Sequence, residues 1–386
     1  MSYNVNGTNI LGWFYPYSST SSNANKALTS NFRINNDDIS NNYVGIGTNS
    51  NIPVSQLYTI PYNSGGQSIG TKFELNLPDL SGNIDVDYKI WDPSNNNGLL
   101  IQILKSTTVK FNYDVDCSFV IVGGGGGGGN NANSNAGGGG GAGEVITGSI
   151  IGYKADVSLN IIIGNGGLAG LSGASTTLQY ITDASNITIT ANGGGRGGAG
   201  SNSSISVTGS SSGGTGSYNI NIPAANIPTV GTATQRTLSN TSVFQSMISY
   251  NNIGSLGNYQ NNASGAGGGG GGALTASPTP GNEVPGVGGD GITITYGSQP
   301  ISLGGGGGGG SRETGFGGSS TSGGAGGLGG GGAGGGKSAS GQTTGYAGTP
   351  NTGGGGGGGS NDASAPGGPG GSGTVFFYII PSAVKL

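Results

Sequence analysis

The chain is expected to be all-β: a small N-terminal β module, then a β base carrying a packed slab of polyglycine-II helices. Three observations predict this. The stretch VIVGGGGGGG, from Val120 to Gly129, runs an apolar strand directly into seven glycines. GSGTVFFYII, ending at Ile380, reverses the join, with glycine first and strand last. Three runs, Gly123–Gly129, Gly304–Gly310 and Gly353–Gly359, share one length of seven residues.

Residues 1–116 lack long glycine runs and hold both tryptophans, Trp13 and Trp91. They are read as a β-rich attachment module. Its strand candidates are KFELNL (Lys72–Leu77), VDYKIW (Val86–Trp91), LLIQIL (Leu99–Leu104) and TVKFNY (Thr108–Tyr113), separated by turn signals such as DPSNNNG. The first and last of these alternate apolar with polar, as half-buried strands do.

Residues 117–386 form the glycine-rich domain. SFVIV (Ser118–Val122) opens it and TVFFYII (Thr374–Ile380) closes it, and the two are expected to pair in one sheet. Further strands are read at Glu144–Ile150, Val157–Ile163, Asn186–Ala191 and Ile292–Tyr296. Ser242–Tyr250 reads as a short helix capped by Asn240 or Ser242. It lies in the longest insertion, Ser201–Ser264.

The composition, 91 glycines and 15 prolines in 386 residues, also suits a flexible linker. A linker, however, has no reason to start and stop on strands. The ordered alternative is a three-residue-per-turn glycine helix rising about 3.1 Å per residue, so that seven residues span roughly 22 Å. Such a helix makes no internal hydrogen bonds. Each N–H and C=O must then find a partner on a neighbour, which the absence of Cβ atoms permits.

Several function classes are excluded or weakened. A net charge of −4 with no basic run leaves no footprint for nucleic acid. No apolar stretch reaches the roughly 20 residues of a membrane span, and the N-terminus does not read as a secretory signal. The lone Cys117 cannot form an intramolecular disulfide. With no histidine in the chain, Ser–His and Cys–His nucleophile pairs are absent. GGAGGGKS, Gly331–Ser338, satisfies the Walker A pattern, but neither a buried strand before it nor a helix after it is readable. GVGGDGITI around Asp290 matches one incomplete calcium β-roll repeat. Asp37–Asp38 and Asp114/Asp116 read as solvated turn or strand-edge carboxylates. An enzyme is not expected, and no cofactor or metal is called for.

The join VIVGGGGGGG, the interior runs and the closing GSGTVFFYII resemble the glycine-rich domain of virus-particle proteins, over about Ser118 to Ile380. These include tail-tip adhesins of tailed phages, whose glycine helices pack in a layered slab, and structural proteins of large DNA viruses. The opening SYNVNGTNILGWFYPY is more like the starts of the latter, and residues 1–116 match no adhesin attachment domain. The resemblance implies a non-enzymatic virion protein of the fibre or tail-tip adhesin type. Residues 1–116 would bind other virion proteins, and the distal loops a host surface protein or glycan. It leaves room for an oligomer. Candidate receptor contacts are Arg312, Glu313, Phe316, Tyr346, Asn361 and Asp362 in the distal loops, with Tyr218, Phe244 and Tyr250 in the insertion. The alternatives are a minor capsid or cement protein packed between capsomers, and a non-viral ice-binding or matrix glycine-helix protein.

Overall fold

The structure is a computed structural model. It describes residues 2–5, 8–11, 32–34, 43–46, 58–60, 72–75, 79–80, 87–91, 99–111, 114–130, 135–154, 157–182, 186–200, 206–218, 229–234, 236–257, 265–280, 284–296, 299–311, 322–338, 341–361, 365–379 and 384–385. These residues contain strands and extended segments and no α-helix. In chain order the strands are β1 Ser2–Val5, β2 Thr8–Leu11, β3 Phe32–Ile34, β4 Tyr43–Ile46, β5 Tyr58–Ile60, β6 Lys72–Leu75, β7 Asp79–Leu80, β8 Tyr88–Trp91, β9 Leu99–Ile103, β10 Thr107–Lys110, β11 Asp114–Val122, β12 Val145–Tyr153, β13 Ser158–Ile162, β14 Thr176–Ile181, β15 Asn186–Ala191, β16 Phe244–Tyr250, β17 Ile292–Tyr296, β18 Gln299–Leu303, β19 Lys337–Ser338, β20 Gly341–Gln342, β21 Thr374–Ile379 and β22 Val384–Lys385.

Two sheets make the base. One runs β16-β12-β11-β21-β9-β8, with β22 also on β11; the other runs β15-β14-β13-β10-β7. β11 shows why they stack. Its first half, DVDCS, alternates buried and half-buried residues, whereas FVIV is buried throughout. Phe119 and Ile121 face the second sheet, among Phe111, Tyr153, Leu159, Leu178, Phe244 and Phe377. Val120 and Val122 face the other way, into a smaller cluster with Leu100, Phe376 and Leu303, covered by the β17–β18 hairpin. Rings in the main core meet edge to face, Phe111 with Tyr153 at 5.1 Å and Phe119 with Phe244 at 5.6 Å.

SFVIV and TVFFYII pair as expected: Ser118↔Tyr378 through Val122↔Thr374, antiparallel. The change of composition at residue 116 is not an edge of the sheets. It falls inside β11, while β9 pairs with β21 and β10 with β13. Within Ser242–Tyr250 the chain forms a strand, Phe244–Tyr250, rather than a helix. Its short apolar run is one that periodicity alone cannot assign. Pairing decides it, because β16 bonds to β12 and sends Phe244 into the core. A β-bulge lies between Thr147 and Ser149, and opposite it Ser246 has a φ of 53°.

Among the described residues, nine extended rods continue strands of the two base sheets and the β17–β18 hairpin. β11 runs into 123–130, β13 into 163–168, β15 into 192–200, β16 into 251–257 and β18 into 304–311; 136–144 leads into β12, 171–175 into β14, 284–291 into β17 and 365–373 into β21. Strand and polyproline-type helix have similar rises, so the chain passes from one to the other without turning. The register of the sheet thereby sets the register of the rods.

Hydrogen bonds show the rods' three-residue period. Gly123, Gly126 and Gly129 donate to Glu144, Gly141 and Gly138; Gly124 and Gly127 to Ala174 and Leu171; Gly125 and Gly128 to Gly371 and Gly368, all at 2.7–2.9 Å. Carbonyls of the same run accept from three further rods, as when Gly167 donates to Gly125, Gly194 to Gly124 and Gly356 to Gly126. Each central rod thus has six hydrogen-bonded neighbours. The same holds for 137–143, 304–310 and 353–359, so the three equal runs are interior rods of one lattice. Bonds only to other rods, with a period of three, are those of polyglycine-II helices.

Tracing these bonds sorts the rods into four layers. The first holds 171–175, 192–200, 210–217 and 251–257. Next come 163–168, 123–130, 136–144, 265–273 and 275–278. The third holds 365–373, 353–361, 304–311 and 284–291, and the fourth 343–349, 331–336 and 322–328. Rod 210–217 carries serines and a threonine rather than glycine alone, and its hydroxyls bridge the resulting gap. Ser212 Oγ accepts from Gly254 N at 3.0 Å and Thr215 Oγ1 from Gly257 N at 2.6 Å, while Ser210 Oγ donates to Ala142 O at 3.0 Å.

Candidate recognition surface

Each layer ends on one wall of the slab in a rod that lacks an outer neighbour: 171–175, 163–168, 365–373 and 343–349. Their outward side chains are apolar near the far end from the base. The wall carries Leu171 (56% exposed), Leu168 (68%) and Tyr346 (61%), with exposed Pro366 and Pro369 between them. These residues lie at similar heights. Gly127 donates to Leu171 O, Gly128 to Gly368 O and Gly357 to Tyr346 O. Leu168 and Leu171 flank a tight turn closed by Leu171 N to Leu168 O at 2.8 Å, with Gly170 at a φ of 73°. This is the position where a type II turn demands glycine. The two prolines are three residues apart and so lie on one side of a three-fold rod, where the missing N–H costs no inter-rod bond. A stripe of leucine, proline and tyrosine on a fully bonded lattice is a preorganised, uncharged contact surface.

Tyr346 is therefore exposed, as expected for a contact residue, though it sits on a wall rod rather than in a loop. Asn361 is half-buried at the far end of rod 353–361. Arg312, Glu313, Phe316 and Asp362 lie outside the described residues. Two candidates are corrected. Phe244 is fully buried in the core and Tyr218 is 8% exposed, so neither presents a contact face. Tyr250 is half-buried against the smaller cluster. Sequence reading missed Leu168, Leu171, Pro366 and Pro369. For the two prolines the spacing of three, matching the rod's turn, is the signal that could have found them; Leu168 and Leu171 sit on two rods joined by a turn, and no such spacing marks them.

The motifs that resembled chemistry have structural roles. In the Walker-like stretch, Gly332 N donates to Gly355 O, Gly334 N to Gly324 O and Gly335 N to Gly358 O, so these amides are not turned toward a phosphate. Lys337–Ser338 then forms a two-residue ladder with Gly341–Gln342. Asp290 Oδ1 accepts from Leu328 N at 2.9 Å, and Asp290 O from Leu274 and Thr275, which locks a turn. Asp114 pairs with Lys154 at 2.7 Å, and Asp116 Oδ1 accepts from Gly152 N at 2.6 Å. Among the described residues no cluster of His, Cys, Asp or Glu could hold a metal, and no helix is long and apolar enough to cross a membrane.

Cys117 is 5% exposed on β11. Burial, and then the charge of Asp116, push its thiol pKa well above the ordinary value. The thiolate is the reactive form. Folded protein at pH 8 should therefore resist iodoacetamide and label promptly once denatured. Labelling of folded protein at the rate of a free thiol would show that β11 opens readily.

One charged cluster is deeply buried. Glu144, fully enclosed where rod 136–144 enters β12, receives a bidentate pair from Arg236, with Nε–Oε1 at 3.0 Å and Nη2–Oε2 at 2.7 Å. Asn192 N donates to Oε2 at 2.8 Å, Ser249 Oγ to Oε1, and Arg236 Nη2 also to Thr190 O. No sequence motif announces this cluster, since its members come from four separate segments.

A family profile described as a glycine-rich domain matches residues 104–379. No curated protein matches the chain. The matched span covers the base strands from β10 to β21 and every rod between them, and the chain belongs to this glycine-rich domain family.

Proposed function

We propose that the protein is a non-enzymatic structural protein of a virus particle, holding its glycine slab outward and binding a receptor on the host surface. The observation that carries this reading is the uncharged stripe of Leu171, Leu168, Pro366, Pro369 and Tyr346 on a wall of bonded rods. Rigid apolar and aromatic side chains lose little entropy on docking and make good binding anchors. The resemblance to virus-particle proteins supplies the setting. Residues 1–116 would attach the protein to the particle, and the slab would stand clear of it.

The test compares particle adsorption for Tyr346→Ala and for Leu168→Ser with Leu171→Ser. Each should reduce adsorption at least about tenfold, as loss of an anchor worth more than about 1.4 kcal/mol does. Both should keep stability within about 0.5 kcal/mol, as surface changes do. Unchanged adsorption by folded variants would remove the receptor reading.

A second reading, a cement protein packed between capsomers, is favoured by the opposite wall. There Ile253 (49%), Leu256 (41%), Val284 (54%) and Val287 (41%) are exposed, again in pairs three residues apart. An antibody against the slab separates the two readings. It should bind intact particles if the slab stands outward and fail to bind if the walls are packed.

A further inference from the structure

At the base end of the slab lies a half-open cleft of about 380 Å³, within the size range of small-ligand sites. Its floor is a row across three strands: Lys89 opposite Gln102, and Gln102 opposite Phe376. The β17–β18 hairpin packs over Leu100 and Phe376 on this sheet face, and the recess lies beside it. β18 forms one wall through Pro300–Leu303, and the turn Pro350–Thr352 the other.

The lining has one charge and it is positive. No acidic residue lines the cleft, and among the described residues no carboxylate pairs with Lys89. Gln102 is 9% exposed and donates from Nε2 to Asn351 O at 3.5 Å, a long contact. Its Oε1 and the Asn351 Nδ2 have no other partner among the described residues. Asn351 is preorganised: its φ is 60°, its N donates to Ser372 Oγ at 2.9 Å, and Ser372 Oγ donates to Asn351 Oδ1 at 3.1 Å. Leu100, Phe376 and Ile301 supply the apolar half of the lining.

These features select a ligand class. A purely apolar ligand would strand the lysine and the amides without partners. A zwitterion such as a free amino acid would find no anion for its ammonium. A phosphate dianion would meet one cation and no arginine fork. A single carboxylate on a body with one apolar face and a hydroxyl rim matches every group present. We propose that this cleft binds an acidic monosaccharide unit, its carboxylate on Lys89 Nζ, its hydroxyls on Gln102 and Asn351, and its C–H face toward Ile301. The site lies at the base, away from the stripe, and does not rest on the virion reading.

The experiment is saturation-transfer NMR on the full chain with glucuronate and N-acetylneuraminate at millimolar concentration. Methyl glucoside and acetate serve as neutral-sugar and bare-carboxylate controls. One acidic sugar should receive saturation, more strongly than either control, and lose it as salt is raised. Lys89→Gln should weaken binding at least about tenfold, the loss of one charge-assisted contact, with thermal unfolding unchanged because no ion pair is broken. Asn351→Gly, which keeps the positive φ while removing the amide, should weaken it less. The proposal is overturned if neither acidic sugar receives saturation, if acetate binds as well as the sugar, or if folded Lys89→Gln binds like the parent.

Discussion

Gly306→Ala should disrupt the slab. A methyl group at this position would lie 2.1 Å from Gly270 O, on the backbone of the next rod. Real Cβ atoms essentially never come within 3.0 Å of such an atom, and a backbone carbonyl in a six-neighbour lattice cannot swing aside. The rods must part, and parting stretches the bonds between them from Gly270 N to Gly307 O and from Ala273 N to Gly304 O, at 2.8 and 2.7 Å. Overpacking alone costs about 1–3 kcal/mol. Two strained backbone bonds add about 0.5–1.5 kcal/mol each. Gly357→Ala should be worse, with Ala333 O at 1.8 Å. The control is Gly152→Ala, where φ is 68° and no atom lies within 4 Å, so that only conformational strain of roughly 1–2 kcal/mol is expected. Urea denaturation of the three variants measures the difference. If Gly306→Ala loses no more stability than Gly152→Ala, close approach is not what the glycines provide.

That contrast also says why glycine is used. Among the described residues the glycines with positive φ are Gly152, at an irregular step of β12, and Gly170, Gly304, Gly329, Gly330 and Gly353, at turns or strand–rod joins. The interior of every seven-residue run lies outside that region, so freedom of φ is not the reason for its composition. Inter-rod distance is. Where the distance is larger, as around 210–217, serine replaces glycine and its hydroxyl completes the bond that the backbone cannot reach.

This explains what could be read from the chain and what could not. Equal run lengths and strand flanks are local features, and they led to ordered rods and to the β11–β21 pairing. SSSGGTGS in 210–217 was not legible as an interior rod, because a polar tract reads as loop until its neighbours are known. FQSMISY was misread because seven residues of mixed character satisfy a helix as well as a bulged strand. QPISL, absent from the strands read from the sequence, carries a proline that argues against a strand, yet Pro300 sits on a hairpin that pairs on one side only within its own sheet. The apolar stripe was hidden for a different reason. Leu171, Leu168, Pro366 and Tyr346 become neighbours only when the order of rods within the lattice is known, and nothing in the runs themselves encodes that order.

The other large effect is expected at Glu144. Its carboxylate is enclosed and receives hydrogen bonds from Arg236, Asn192 N and Ser249. It ties together the start of β12, the end of β15, β16 and the segment before it. Removing one member of a buried pair strands the other charge, at a cost of about 3–5 kcal/mol. Arg236→Ala should therefore destabilise the fold by that amount, and Glu144→Ala should do at least as much because Asn192 N also loses its acceptor. The double substitution Glu144→Ala with Arg236→Ala should cost less than the two single losses added together, since neither charge is then left buried alone. Limited proteolysis adds a local readout. Arg236 anchors residues 236–243 to the base, so Arg236→Ala should open that segment to cleavage before the glycine rods are attacked. Additive losses in the double variant, or proteolysis that begins in the rods, would show that the pair is not the clamp that fixes this segment to the slab.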